Sequence, residues 1–381
     1  MSTVTDPPAA TRRPVKIATV AAIPVAVPLR SPLRSALGVQ SRSEYGIVIV
    51  ETECGVRGLG EISMIWHGNG AGLCDVVNHL LGPGLIGADP FGITGFHALA
   101  AERLAFGKHS QAAVAAVETA LLDIQGRLLG VPVFDLLGGL ARERVPLSMS
   151  LSIAPAADMV RQAGEFHSAG FTTVKVKDAG GGQVAGVVRD LRSEFGAELG
   201  IRVDLNMACT SAKDALRLIR RLLPYDVLSV EQPLPAGDLD GMAYLRTHSE
   251  IPIMADESVW TQADAWQVLR AGAADIVNVY VPEAGGPTRA RNIIEMCAVA
   301  GTGVAIGSMP ELGIGTAAAA HVAFSAARLD QPSDVAGHLY HVTDVATTCL
   351  RIEAGQLLPP DCVGLGAELD EDRLAALRLD Q

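Results

Sequence analysis

Residues 171–182 read FTTVKVKDAGGG. From Thr172 to Lys177 the residues alternate with period two, as in a β-strand, yet Lys175 and Lys177 fall on the same face. Same-face neighbours on a strand stand roughly 6–7 Å apart. At an effective dielectric near 20, two ammonium groups at that separation repel by roughly 2.5 kcal/mol, equivalent to about two pKa units. One lysine can therefore hold the other where it is neutral and acts as a base.

The strand has company. Upstream lies VPLSMSLS; downstream come IRVDLN, VLSVEQP, IPIMADES, DIVNVYV and GVAIGS, separated by segments of helical character. Taking one polar landmark per strand, Lys177, Asp204, Glu231, Asp256 and Tyr280 are 27, 27, 25 and 24 residues apart. A βα unit takes about that length, and a run of such units closes into a (β/α)8-type barrel. A doubly wound open sheet is disfavoured, because no GxGxxG follows the first strand.

Ahead of the barrel the pattern differs. VKIATVAAIPVAVPL reads as a strand, and YGIVIVETECGVRGLGE as a hairpin turning at Cys54-Gly55. Between them a Ser/Arg/Gly-containing stretch, 31–43, reads as a loop. In AAVAAVETALLDIQGRLLG, residues Val114, Val117, Leu121, Ile124 and Leu128 recur at helical spacing, with Gly130 at the C-cap. The expected organisation is a disordered leader (1–15), an α+β capping domain (16–140), a barrel (141–345) and a C-terminal segment (346–381) packing back on the capping domain.

Composition excludes several roles. The chain has 381 residues, 49% of them hydrophobic, and a net charge of −12, which disfavours nucleic acid and anionic membranes as partners. Six scattered cysteines with no CxxC spacing, and no secretory signal pattern, point to free thiols and a cytoplasmic location.

In a barrel of this kind the strands' C-termini face the active site. Asp204, Glu231 and Asp256 end three consecutive strands and would converge. Unpaired, they would resist ionisation; a divalent cation resolves the conflict, and all-oxygen ligation favours Mg²⁺ or Mn²⁺ over zinc.

These residues carry a resemblance. VKVK, DLN, EQP, ADES, GSMPELGIGTAAAAHVA and GLGAELDED together resemble the enolase superfamily, in the muconate-lactonizing branch of its mandelate racemase and muconate-lactonizing group. The resemblance implies a modified TIM barrel, (β/α)7β, with an α+β N-terminal capping domain. It implies that Asp204, Glu231 and Asp256 hold Mg²⁺, that Lys177 is the general base with Lys175 as its electrostatic partner, and that Asn206 and Glu257 lie beside the ligands. Glu311 would be a further acid at the end of the seventh strand. Two closing loops, about 31–43 and 62–70, would set substrate choice, with Trp66 and His67 as specificity candidates. A small-molecule carboxylate substrate and a homo-oligomer, an octamer or a dimer, are likewise implied.

One position departs from the pattern. The lactonizing branch places a second lysine at the end of strand six, where this chain has Tyr280; the other branch uses a histidine on strand seven, where AIGSMPELG has none. A tyrosine, with a reference pKa of about 10, is a better acid than base. His338, in the eighth-strand region, is another candidate acid. The expected reaction is therefore removal of an α-proton by Lys177 and loss of a β-hydroxyl assisted by Tyr280. That describes a dehydratase of a hydroxy or sugar acid, or of a hydroxylated amino acid. The alternatives are a racemase, epimerase or cycloisomerase, and a catalytically silent relative that binds a metal and a carboxylate.

Overall fold

The computed structural model describes residues 15–65, 69–104, 107–179 and 182–380. Nearly all of the expected leader, together with Trp66 and His67, lies outside the described residues.

The N-terminal sheet is a meander of β1 (Ile17–Ser35), β2 (Gly38–Thr52) and β3 (Arg57–Ile62), all antiparallel. The helix Gln111–Leu129 lies flat against it and ends at Gly130 in the left-handed region, φ 71°. Contact is close because β3 lacks side chains there. A Cβ on Gly58 would stand 2.0 Å from the Ala120 carbonyl oxygen, and one on Gly60 1.8 Å from that of Ala116. Val48, Val50 and Ile62 of the sheet share a core with Val114, Val117, Leu121 and Ile124 of the helix. Each such side chain, fully buried, contributes about 1.5–3 kcal/mol.

Residues 31–43 are not a loop. β1 and β2 run on through them, pairing Leu33 with Gln40, Arg34 with Val39 and Ser35 with Gly38 around a two-residue turn at Ala36-Leu37. Their polar composition concealed the strands because this tip has no core to face; Val39 is 57% exposed. The tip instead docks on the barrel. Arg34 N donates to Ser152 Oγ (3.0 Å) and Ile153 N to Arg34 O (3.1 Å).

The barrel follows β4 (Val145–Pro146). Its strands are β5 (Ser148–Leu151), β6 (Thr173–Lys177), β7 (Gly200–Asp204), β8 (Ser229–Glu231), β9 (Ile253–Ala255), β10 (Ile276–Val279) and β11 (Gly303–Ile306). They are parallel and hydrogen-bonded in sequence order, with helices between. A short eighth stave closes the ring. Leu147 bridges Ser333 in parallel, Ser148 N donates to Ser333 O (2.9 Å), and Asp334 N donates to Ile306 O (2.7 Å). The architecture is thus a (β/α)7β barrel, an α/β fold capped by a β-rich N-terminal domain.

After the barrel, β12 (Ala346–Thr348) pairs with β15 (Ala367–Leu369), and β13 (Arg351–Glu353) and β14 (Gln356–Leu358) form a small sheet with β4. The segment before β15 meets the capping domain: Leu365 N donates to Asp123 Oδ1 (2.8 Å) and Val133 N to Gly364 O (2.9 Å). No described helix is long and apolar enough to cross a membrane.

Candidate active site

Parallel register sets the site. Lys175 lies opposite Arg202, Lys177 opposite Asp204, and Asp204 opposite Glu231, so one face of three neighbouring strands presents charge to the barrel axis. The Asp204, Glu231 and Asp256 carboxylates each offer an oxygen within 4.8 Å of the other two, and all three residues are buried. Octahedral Mg²⁺ binds oxygens at about 2.0–2.1 Å, which puts opposite ligands about 4.2 Å apart, so these oxygens can close on one ion with small movements. The donor set is entirely hard oxygen, which suits Mg²⁺ or Mn²⁺. Without a cation the charges conflict: burial, then Glu257, Glu231 and Glu283, push the Asp256 carboxyl well above the usual carboxylate range.

The two lysines differ in role. Lys177 Nζ stands 2.6 Å from Asp204 Oδ2 and 3.0 Å from Asn206 Oδ1, with its side chain 22% exposed. Lys175 is 3% exposed and is fixed by Asp334 Oδ2 (2.7 Å), Glu231 Oε1 (3.2 Å) and Asp204 Oδ2 (3.8 Å). Burial works against its charge, but Asp334, Glu231 and Asp204 outweigh burial and hold it well above the usual lysine value. The expectation of two bare ammonium groups repelling each other therefore needs correcting. Carboxylates compensate Lys175, and it is a fixed positive charge within an ion network.

Arg202 completes that network. It is fully buried and reaches Asp334 Oδ1 and Glu231 Oε2, each at 2.9 Å. Burial tends to raise Glu231, yet Lys175 and Arg202 overcome it and hold the carboxyl at about 2. Asn278 Nδ2 donates to Glu231 Oε1 (2.9 Å). Gln232 ties two strand ends together, its Oε1 accepting from Asp256 N (2.9 Å) and Ser258 N (3.2 Å). Asn206 and Gln232 both hold positive φ, 39° and 33°, a costly conformation of the kind that clusters at functional sites.

A cavity of about 490 Å³ opens above these groups, beneath the β1–β2 hairpin, and Lys175, Lys177, Asn206, Asp256, Glu257 and Tyr280 are among its lining residues. Asn206 Nδ2 donates to Glu257 Oε1 (3.0 Å). The Tyr280 hydroxyl donates to Asp256 Oδ2 (3.1 Å), and burial, then Asp256, keeps it protonated far above its ordinary pKa. Its ring sits over Gly307, where a Cβ would fall 2.2 Å from the ring carbon Cζ. Glu311 does not line the cavity. It lies behind the wall, accepting from Met309 N (2.9 Å) and from Ser308 Oγ. His338 lies outside the lining too, and burial pulls it down to about 4.

Sequence reasoning passed over Arg202, Asn278, Glu283 and Asp334. Glu283 lies just past β10, lines the cavity, is 1% exposed, and its Oε2 has no hydrogen-bond partner. Arg202 was within reach: it shares the parity of Asp204 on its strand.

Comparison with known proteins agrees with this geometry. Residues 158–373 match the family model described as enolase C-terminal domain-like, and residues 12–138 match the mandelate racemase / muconate lactonizing enzyme N-terminal domain. The chain belongs to the mandelate racemase and muconate lactonizing family of the enolase superfamily. It is 33% identical over 338 residues to a hydrophobic dipeptide epimerase of Enterococcus faecalis, covering 87% of this chain and 93% of that protein. It is 30% identical over 341 residues to the N-succinyl-L-Arg/Lys racemase of Bacillus cereus, covering 88% and 90%. A crystal structure of muconate lactonizing enzyme from Pseudomonas fluorescens, complexed with muconolactone, superposes with a TM-score of 0.91 at 28% identity, covering 96% of this chain and all of that one. These relatives are isomerases, and they favour that class over the dehydration expected from the sequence.

Proposed function

We propose that this chain is a divalent-metal-dependent isomerase of small carboxylates in which Lys177 moves the proton α to the carboxylate. The observation that carries the reading is the Lys177 ammonium, 2.6 Å from Asp204 at the rim of the acid triad and on the cavity wall. A cation held by Asp204, Glu231 and Asp256 would supply Lewis-acid stabilisation of the substrate carboxylate as the α-proton leaves. Lys177, once deprotonated, accepts that proton as general base and returns it as general acid. Lys175, dry and held charged, adds fixed positive potential where negative charge develops.

Within this class we favour the cycloisomerase type. The Tyr280 hydroxyl is engaged with Asp256, so it aligns that carboxylate rather than serving the substrate. One proton carrier on one wall suits intramolecular addition of a carboxylate to a double bond. The adduct is protonated at the α-carbon, and the reverse step takes the proton away again.

Epimerisation is the second reading, and Glu283 favours it. β6 and β10 are four staves apart in a ring of eight and so lie on opposite walls. Burial, then Glu257, raises the Glu283 carboxyl well above the ordinary range, the state in which it can donate a proton to the far face.

The discriminating experiment incubates the Mg²⁺-loaded enzyme in deuterated water with muconolactone, the two enantiomers of N-succinyl-lysine, hydrophobic dipeptides, and a sugar acid as a β-hydroxy acid. Deuterium entering muconolactone, with muconate in equilibrium, supports the first reading. Exchange with inversion of an amino-acid centre supports the second. Keto-acid formation from a hydroxy acid would overturn both in favour of dehydration, and no exchange with any compound would count against the isomerase class.

A further inference from the structure

All six cysteines are free thiols, but two are not scattered in space. Cys349 follows β12, and Cys362 lies in the loop that leads to β15. Their sulfurs converge on Gly366. A Cβ built on that glycine would stand 2.2 Å from Cys349 Sγ and 2.1 Å from Cys362 Sγ, so the sulfurs are no further apart than those two distances combined. Gly366 holds φ 69° and its carbonyl accepts from Cys349 N (2.9 Å). The backbone thus brings one cysteine across to the other, and a residue with a side chain there would drive the sulfurs apart.

We infer that Cys349 and Cys362 form a redox-modifiable pair that closes to an intramolecular disulfide when the protein meets a low-molecular-weight disulfide. Both residues are partly exposed, so an oxidant can reach them. Hydrogen bonding with the Cys362 thiol lowers Cys349 below its ordinary value, which favours its thiolate. With glutathione disulfide as oxidant, the Cys349 thiolate attacks one sulfur, forms a mixed disulfide and expels a glutathione thiolate. Cys362, losing its proton, then attacks Cys349 Sγ and expels the second glutathione. Two protein thiols are oxidised and one glutathione disulfide is reduced to two glutathiones. The bond would staple the β12 end to the loop whose Gly364 and Leu365 hold the capping domain, and cross-linking this stretch restricts the unfolded chain.

The test uses the full chain. Reduced protein is treated with glutathione disulfide, its remaining thiols are alkylated, and it is digested with trypsin. Cleavage after Arg351 puts the two cysteines on different peptides. The expected result is a linked Cys349–Cys362 peptide pair and a thermal midpoint raised by several degrees, both reversed by dithiothreitol. The exposed Cys54 should carry glutathione alone. Cys349→Ser and Cys362→Ser should each lose the link and the shift. Recovery of Cys349 and Cys362 as alkylated thiols or separate glutathione adducts, once Cys54 has reacted, would overturn the inference. Because wild type alone gives that reading, it does not depend on the variants folding.

Discussion

The Tyr280 hydroxyl donates to Asp256 Oδ2 over 3.1 Å, and its ring occupies the space that Gly307 leaves free. The residue standing where the lactonizing branch places a lysine is thus built into the support of an acid-triad carboxylate. Loss of a hydrogen bond that orients a metal ligand typically weakens metal affinity or activity by about 10–100-fold. Tyr280→Phe keeps the ring and should weaken Mg²⁺ binding by about tenfold or more, as read by calorimetric titration. Were the hydroxyl instead the proton donor to substrate, turnover would fall while metal affinity stayed put.

Lys177→Ala should leave the acid triad able to bind Mg²⁺ and should remove α-proton exchange. A positioned acid or base typically contributes about 10²–10⁴-fold, so residual exchange in deuterated water should fall by at least 100-fold. Exchange at the wild-type rate would end the base assignment.

Arg202 gives a prediction on folding. Its guanidinium lies fully buried between Glu231 and Asp334. Arg202→Met leaves two buried carboxylates short of a partner, and breaking a buried pair from one side costs about 3–5 kcal/mol. Urea unfolding should show that loss as a lower midpoint. A change under 1 kcal/mol would mean that Lys175 alone suffices to compensate both acids.

How far these positions could be read in advance follows from particular residues. Lys175, Lys177, Asp204, Glu231 and Asp256 were legible because strands of period two, spaced by βα units, fix both face and depth. Arg202 obeys the same parity, directly opposite Lys175 on the neighbouring strand, but an arginine inside an apolar strand carries no motif of its own. Asp334 was illegible because its stave is a single bridge to Leu147–Ser148, in a stretch without an apolar run. Glu283 sits on a one-turn helix after β10, beyond the strand whose rhythm located Tyr280. The hairpin tip misled for the opposite reason: its strands are held by backbone pairing and bury no face, so composition gave no sign of them.

His321 yields the pH dependence. It is fully buried on the helix Gly313–Ser325; Nδ1 accepts from Phe134 N (3.1 Å) and Nε2 bonds Leu365 O (3.1 Å), which fixes the neutral tautomer with the proton on Nε2. Burial pulls its pKa down to about 4, the bond to Leu365 opposing only in part. In the unfolded chain the group titrates near 6.5, so between those values the unfolded state binds the extra proton and stability rises with pH. The contribution is fully present above about pH 6.5 and is lost as pH falls towards 4, a change of roughly 3 kcal/mol. His338 and His341, also held at about 4, add to the same slope, so the wild type alone does not isolate His321. His321→Gln does: an amide can accept from Phe134 N and donate to Leu365 O, yet it takes no proton. Urea denaturation of both proteins from pH 7 to 4.5 should show the variant losing less stability than wild type, the gap widening as pH falls. Parallel curves would mean that the imidazole titrates in the folded protein as it does in the unfolded chain, with Leu365 and Phe134 bonded otherwise than they are here.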